Sequence, residues 1–290
     1  MLYYFDETAD QGYVNKSSSL KEYGLLAGWA FPDRNKSAFE AKVAAVLSQL
    51  SSSGCEKLHC TELFKDNANS SLRDGLYQLL LGLEEYVIIH EGAYPLGVKQ
   101  QENVASEILR SYPARVPDHI KVKKRQDRTR LYTTLLTGVI VKLEECAIRE
   151  KEQEVYLISD RVDDAMQEEA EELLEYLSSS KHTIVAKAYD LNTKRPLTRT
   201  MKTETTSPDI STRIERVKGI SYIEDVTPLS FVADFICFEL LRHFRRQMKV
   251  TRPIKFQSPE GLEGFPLKHK IAFLGTDYFT DRIYRPTEDG

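Results

Sequence analysis

The sequence has few cysteines, and no two of them are closely spaced. The chain of 290 residues contains four, at Cys55, Cys60, Cys146 and Cys237, without any CxxC pair. Zinc sites built from cysteine need such pairs, and disulfide frameworks are typical of smaller secreted chains. The scarcity argues against a cysteine-bound zinc ion or a disulfide scaffold, and it favours reduced thiols in a cytoplasmic protein.

The sequence also lacks a long apolar run and a basic N-terminal segment. Its longest apolar stretch, around 133–141, is shorter than the roughly 20 residues of a membrane-spanning helix. The N-terminus passes directly into an apolar run, whereas a signal peptide begins with a basic region. We therefore expect a cytoplasmic protein without a membrane segment.

Short apolar runs alternate with longer segments of helical periodicity along the chain. We predict strands at 2–7, 23–31, 87–90, 155–160, 183–188, 220–225 and 270–274. We predict helices at 37–50, 72–86, 102–109, 130–150, 165–177 and from Pro228 onward. This alternation predicts one α/β domain over 1–290, with insertions at about 92–130 and 192–218. The polar stretch 192–207 is predicted to be a mobile surface loop.

Several of the predicted strands end in acidic residues. These are Asp6 and Glu7 on the first strand, Asp160 on a middle strand, and Glu224 and Asp225 on a late one. In open α/β sheets, ligands bind beyond the carboxyl ends of the strands. Because successive side chains of a strand point to opposite faces, we expect Asp6 and Glu7 to point apart.

A further acid, Asp234, lies inside an apolar helical segment. Its neighbours at helical spacing are Phe231, Phe238 and Leu241, so its face should pack against the sheet. A buried carboxylate costs several kcal/mol unless it is paired or bound to a metal. The alternative is pairing with arginines that follow on the same helix, Arg242, Arg245 and Arg246.

Carboxylates that meet at one place repel one another, so a cluster of them needs a cation or raised pKa values. Since the sequence offers no cysteine or histidine set suited to zinc, oxygen ligands favour Mg²⁺ or Mn²⁺. Such ions stabilise the attacking and leaving oxygens when a phosphodiester is cleaved. The alternative for each acid is that it caps a helix or solvates a strand end.

Motifs at both ends of the chain resemble a known family. The opening FDETAD is similar to F/Y-x-DES-GD, the opening of the bacterial and phage family of domains of unknown function numbered 3800. The closing SYIEDVTPLSFVADFICF resembles that family's final strand and its helix carrying ADxI, with LISD at the middle strand. Thr8 and Ala9 stand where the family usually has Ser and Gly, which alters the turn but leaves the acids intact.

The resemblance implies a ribonuclease H-like fold, in which helices flank a mixed sheet that carries helical and loop insertions. It makes Asp6 the first-strand acid, Asp160 the central-strand acid and Asp234 the final-helix acid. These three residues would hold the metal and act in catalysis. Glu7 would accompany Asp6 as a further catalytic acid.

The fourth metal ligand is open between Asp225 and Glu62, and Asp225 is preferred because it matches the family's strand end. Glu62 lies three residues after His59, a spacing that suits a metal on a helix but is also found in polar loops. His59 is a candidate for orienting a water or a phosphate. Cys60 adjoins His59, but no third group that would activate it as a nucleophile is identifiable.

Basic residues are clustered in a chain whose net charge is −4. The group predicted to bind nucleic acid is Lys121, Lys123, Lys124, Arg125, Arg128 and Arg130. Further groups lie at 194–202 and 242–252. Three groups fit an electropositive groove for a phosphate backbone, and the alternative for each is a solvated surface.

The favoured function is that of a divalent-metal-dependent nuclease, which hydrolyses phosphodiesters. One alternative is a non-catalytic member of the same fold that binds nucleic acid, or a protein partner in phage defence or mobile-element biology. Another is a metal-dependent hydrolase of small nucleotides. Salt-sensitive binding without turnover would identify the first alternative, and activity on mononucleotides but not on polymers would identify the second.

Overall fold

A computed structural model describes the chain over 1–8, 23–48, 59–65, 68–98, 100, 119–122, 131–160, 162–179, 181–204, 214–250 and 258–272. Within these ranges, the backbone alone is described for 120–122, 181–188, 199–204 and 248–250. The predicted helix at 102–109 lies outside the described residues. Of the helices in these ranges, none is both long enough and apolar enough to cross a membrane.

The described strands form two sheets. They are β1 (Leu2–Thr8), β2 (Gly24–Phe31), β3 (Val87–Ala93), β4 (Ile120–Val122), β5 (Val155–Asp160), β6 (Lys181–Asp190), β7 (Arg195–Glu204) and β8 (Val217–Ile223). The main sheet has the order β3-β2-β1-β5-β8. Its β2 is antiparallel to both β1 and β3, whereas β5 and β8 run parallel to β1. The carboxyl ends of β1, β5 and β8 therefore lie at the same end of the sheet.

Helices cover both faces of the main sheet. They are α1 (Lys36–Leu47), α2 (Cys60–Leu63), α3 (Ser70–Gly82), α4 (Leu131–Glu150), α5 (Asp164–Ser178) and α6 (Pro228–Val250), with short 3-10 helices at Asp33–Asn35 and Lys268–Lys270. One core joins Leu2 and Tyr4 to α1, α3 and α6. The other joins Tyr3 and Phe5 to α4 and α5. The predicted α/β class is confirmed, as a five-stranded mixed sheet flanked by helices.

Helix α6 packs on β1 and β2 and also contacts α1 and α2. It begins at Pro228, as predicted. Thr227 and Ser230 cap this end, since each accepts the other's backbone N–H on its hydroxyl, at 3.0 and 3.1 Å. Trp29 fixes the helix to β2 by donating its indole N–H to the Leu229 carbonyl at 3.1 Å. These contacts set the position of Asp234 on the sheet.

The prediction of a loop over 192–207 is wrong for Arg195–Glu204, which forms β7. This strand pairs antiparallel with β6 along its whole length, and β4 pairs with the other side of β6. The segment has little apolar alternation, so its hydrophobic pattern does not indicate a strand. Backbone pairing with β6 and the strand preference of its threonines account for the difference.

Other strand boundaries also differ from the prediction. β3 and β6 extend further than expected, and β8 begins earlier and ends at Ile223. Asp225 therefore lies beyond the sheet. In the predicted strand at 270–274, Lys270 belongs to a 3-10 helix, and Ile271 makes a single parallel bridge to Ile88. Positions 273–274 lie outside the described ranges.

Candidate functional site

Strands β1 and β5 bring Asp6 and Asp160 side by side at one end of the main sheet. Phe5 pairs with Ser159 in the parallel register, so the next residue on each strand reaches the same end. Tyr4 and Ile158, two residues before the acids, pack in the core that contains α6. By strand alternation, both acids lie on the face that α6 covers.

Helix α6 brings Asp234 to the same place. Burial raises the pKa of the Asp6 carboxyl well above its usual range. The charges of Glu7 and Asp234 raise this pKa further, and that of Asp160 contributes as well. Three residues along α6 from Asp234, the Cys237 thiol donates to the Asp6 carbonyl oxygen at 3.3 Å. Three elements that are remote in sequence therefore place three carboxylates at one site.

Asp234 is held between α6 and the start of α2. Its side chain is 17% exposed, and its Oδ2 accepts the backbone N–H of Cys60 at 2.9 Å. Nδ1 of His59, whose side chain is 51% exposed, lies 3.9 Å from the same oxygen. Burial raises the pKa of Asp234, while Cys60, His59 and a side-chain hydrogen bond with Asp6 lower it. In the described part of the chain, this half-exposed histidine is the only ion-pair partner of Asp234.

Asp160 has an incompletely satisfied carboxylate. Its Oδ1 is buried and has no hydrogen-bond partner among the described residues. Burial raises the pKa of Asp160, and the charge of Asp234 raises it further. His59 and the hydroxyl of Ser230, in the first turn of α6, act in the opposite direction. A cation beside Asp160 would relieve both the repulsion and the missing hydrogen bond.

Glu7 lies on the opposite face, as strand alternation predicts, but interacts with the same cluster. Tyr3 and Phe5, the preceding residues on that face, pack in the core that contains α4. Burial raises the pKa of Glu7 to about 7, and the charge of Asp160 contributes. Its Oε2 is buried without a hydrogen-bond partner within the described ranges. Glu7 is therefore a fourth acid of the site, reached from the other side of the sheet.

The remaining acidic candidates lie on the surface. Asp225 is exposed after the end of β8, and Glu62 is exposed in α2. The carboxylates whose charges shift one another's pKa values are Asp6, Glu7, Asp160 and Asp234. Glu7 is the fourth acid that this geometry favours, and the assignment of Asp225 as a metal ligand stays a prediction.

Two buried thiols adjoin the carboxylates, and sequence reasoning did not place them there as a pair. Cys60 follows His59 at the start of α2, and Cys237 lies on α6. Burial raises the pKa of both thiols well above the usual range. Protonated thiols are poor nucleophiles, which agrees with setting aside a Cys–His pair. The available signal for Cys237 is its spacing of three residues from Asp234 on one helix.

The carboxylates suit a hard divalent cation in their chemistry, although they do not surround a single point. Within the described ranges, no group of three or more His, Cys, Asp or Glu side chains is positioned to hold a metal ion as it stands. Asp6 Oδ1 instead accepts the backbone N–H of Glu7 at 2.9 Å. The buried, unpaired oxygens of Glu7 and Asp160 are ligands of the type that Mg²⁺ and Mn²⁺ prefer.

Of the basic residues predicted to bind nucleic acid, the structure describes only one. Lys121 lies in β4, for which the backbone is described. The other members, Lys123, Lys124, Arg125, Arg128 and Arg130, lie outside the described residues. Arg242, one of the arginines considered as a partner for Asp234, has its guanidinium 3.7 Å from Glu239.

No protein-family model matches the chain, and neither a curated protein nor a solved structure matches it. The resemblance to the family numbered 3800 therefore stays a prediction, as does the ribonuclease H-like fold. Function has to be argued from the geometry and chemistry of the site.

Proposed function

We propose that this protein is a divalent-metal-dependent nuclease of ribonuclease H-like fold. Asp6, Asp160 and Asp234 would form the active site at which it hydrolyses the phosphodiester bonds of its substrate. The observation that carries the proposal is the convergence of these carboxylates, from β1, β5 and α6, at one end of the sheet. The sequence resemblance implies acids from the same three kinds of element.

The four buried carboxyl groups lower the stability of the folded protein unless a ligand compensates their charge. Burial raises the pKa of all four carboxyl groups, Asp6, Glu7, Asp160 and Asp234. Each raised pKa represents stability that is lost when the group ionises near neutral pH. Apolar side chains at these positions would extend the adjoining cores without that loss. A cation offsets the repulsion, which makes it the expected ligand of this cluster.

Asp6, Asp160 and Asp234 would hold Mg²⁺ or Mn²⁺, with Glu7 as the additional acid. The bound cation would stabilise the negative charge that develops when a phosphodiester is hydrolysed. The Cys60 N–H holds Asp234 in place, so the packing of α2 on α6 orients this ligand.

His59 stands at the rim of the site. It is half-exposed, and it lowers the pKa of both Asp160 and Asp234. A histidine in this position can donate to a phosphate oxygen or orient the attacking water. We assign it one of these roles, in agreement with the expectation from sequence.

Nucleic acid is the proposed substrate because of the distribution of charge. The chain carries a net charge of −4, yet its basic residues are grouped. In the described ranges, Arg245 and Arg246 are exposed on α6, and Lys194 and Arg195 are exposed where β6 turns into β7. Such side chains bind phosphates without reading the base sequence.

Cleavage assays on DNA and RNA, single- and double-stranded, with Mg²⁺ or Mn²⁺ test the proposal. We expect Asp6→Asn and Asp234→Asn each to abolish cleavage while the fold is kept. Asp74→Asn, at an exposed aspartate of α3, is the matched control and should cleave like the wild type. Unchanged cleavage by both site variants would overturn the proposal.

A further inference from the structure

A second group of polar side chains lies at the same end of the main sheet, on the face opposite Asp6. Ser159 pairs with Phe5 on β1 and with Tyr222 on β8, so Ser159 and Tyr222 are neighbours. Tyr132, in the first turn of α4, packs in the core on this face. We call this group, Glu7, Tyr132, Ser159 and Tyr222, the Glu7 cluster.

Every member of the Glu7 cluster carries a buried polar atom that makes no hydrogen bond of regular geometry to a described residue. Among the described residues, the atoms that lack a hydrogen bond include Glu7 Oε2, Tyr132 OH, Ser159 Oγ and Tyr222 OH. Tyr132 and Ser159 are fully buried, at 0% exposure. The groups nevertheless lie close together, because the charges of Tyr222 and Glu7 add to the effect of burial in raising the pKa of Tyr132. The hydroxyls of Tyr132 and Tyr222 are also near enough for each to shift the pKa of the other as a hydrogen-bond partner, although their geometry is not that of a regular hydrogen bond.

Such a concentration of unpaired polar atoms is unusual inside a protein. Most buried polar atoms are hydrogen-bonded, and an unpaired one lowers stability. Phenylalanine in place of either tyrosine, or alanine in place of Ser159, would fill the same core without that cost. Three hydroxyls beside one carboxylate are the polar partners that an ordered water needs to complete such hydrogen bonds.

Glu7 connects these hydroxyls to the candidate metal site. It directly follows Asp6 on β1, and its backbone N–H donates to Asp6 Oδ1 at 2.9 Å. Its carboxyl also lies close enough to Asp160 to be affected by that charge. The orientation of the Glu7 side chain therefore decides whether its carboxylate can reach a cation beside Asp160.

We infer that Tyr132, Ser159 and Tyr222 are positioning residues, which hold the Glu7 carboxylate toward the metal site through water-mediated hydrogen bonds. The inference rests on the proposed function, since it is a cation that Glu7 has to be oriented for. Hydrogen bonds to a ligating carboxylate fix its orientation, and their loss weakens metal binding. Neutral hydroxyls suit this role because they donate to a carboxylate without adding a positive charge that competes with the cation.

Calorimetric titration with Mn²⁺ of the wild type and of the double variant Tyr132→Phe/Tyr222→Phe tests this role. We expect the Kd for Mn²⁺ to rise about tenfold in the variant, as is typical when hydrogen bonds to a metal ligand are removed. The unfolding midpoint in chelator should change little, because the double variant removes both hydroxyls together and leaves neither without its partner.

Tyr86→Phe is the matched control. The Tyr86 hydroxyl is buried and donates to the Leu80 carbonyl at 2.7 Å, just before β3 and hence at the opposite end of the sheet. Its removal should lower the unfolding midpoint in chelator and leave the Kd for Mn²⁺ unchanged. This control separates a structural hydroxyl from a positioning one.

The outcomes distinguish this inference from the proposed function. If Mn²⁺ binds the wild type but not Asp234→Asn, and binds the double variant as tightly as the wild type, the positioning role alone is wrong. If the wild type binds no Mn²⁺, both are wrong. A crystal structure gives an independent check: water bridging the Glu7 carboxylate to the hydroxyls would support the role, and a Glu7 carboxylate with no hydrogen bond to the hydroxyls, direct or through water, would overturn it.

Discussion

Helix α6 carries two largely buried acids, Asp234 and Glu239, whose surroundings are opposite in character. Their side chains are 17% and 3% exposed, respectively. Both therefore lose most of their contact with water when the protein folds, and both need compensation for it. The compensation differs between them, although only one and a half turns of helix separate the two residues.

Glu239 is matched by positive charge and by hydrogen-bond donors. Arg73 donates from two nitrogens, each 2.6 Å from a carboxylate oxygen, and the Tyr77 hydroxyl donates at 2.8 Å. Arg242 adds a second guanidinium at 3.7 Å. The network ties α3 to α6, so Glu239 has a structural role.

Asp234, by contrast, lies among other carboxylates. Its charge raises the pKa of both Asp6 and Asp160. Within the described ranges, its ion pair is with the half-exposed His59. The Cys60 N–H supplies a hydrogen bond but no full charge. The comparison teaches that burial alone does not mark a candidate functional acid; a buried acid whose charge is left unbalanced is the better candidate.

Removal of Glu239 should have the largest effect on stability. Glu239→Ala leaves the Arg73 guanidinium and the Tyr77 hydroxyl without their acceptor, so we expect a loss of about 3 kcal/mol in the free energy of unfolding. Urea unfolding of the variant and the wild type measures the loss. A change below about 0.5 kcal/mol, the level of an ordinary surface substitution, would remove the contrast with Asp234.

Raising the pH should destabilise the cation-free protein, because the buried carboxyl groups of the candidate site then ionise. Folding raises the pKa of Glu7 from 4.5 to about 7, so the native state binds more protons than the unfolded state in this window. The stabilisation is complete below about pH 4.5 and is lost as the pH rises through about 7, by at most about 3 kcal/mol for this group.

Chemical unfolding in chelator at a series of pH values measures this dependence. Glu7→Gln should flatten the fall in stability, because the amide does not titrate. Saturation with Mn²⁺ should also flatten it, since the cation favours the ionised carboxylates. A wild-type stability that stays level across the window would show that burial and the charge of Asp160 do not raise the pKa of Glu7 in the folded protein.

Replacement of Asp234 should have the smallest effect on cation-free stability, and the opposite sign from Glu239→Ala. Asp234→Asn keeps an oxygen for the Cys60 N–H and removes one of the repelling charges. We expect a gain of about 1 kcal/mol in chelator near neutral pH. Thermal unfolding with and without Mn²⁺ should show that the stabilisation by Mn²⁺, about 3 kcal/mol at a hundredfold excess over the Kd, is lost. A loss of stability like that of Glu239→Ala would instead give both acids a structural role.

The sequence alone singles out Asp234 but not Glu239. Asp234 stands out because it lies at helical spacing from Phe231 and Phe238 in an apolar segment, and the acids at strand ends supply its neighbours. Glu239 lies on the same helix and gives no such signal. Its partner Arg73 is 166 residues away in sequence, so only the packing of α3 on α6 reveals that its charge is balanced.

Partners from other elements also explain what the sequence could not predict. The strand at β7 depends on pairing with β6 rather than on apolar alternation. Asp225 was favoured because the last strand was expected to reach it, but β8 ends two residues earlier. The hydroxyls of Tyr132 and Tyr222 are unremarkable in sequence, and only the meeting of α4 and β8 places them near Glu7.

Anomalous scattering from a crystal of the wild-type protein soaked in Mn²⁺ tests the assignment of the carboxylate cluster most directly. We predict a Mn²⁺ peak within ligand distance of Asp6, Asp160 and Asp234, and no such peak in crystals of Asp234→Asn. A wild-type map without a peak at the cluster, at a Mn²⁺ concentration that stabilises or activates the protein in solution, would contradict the assignment.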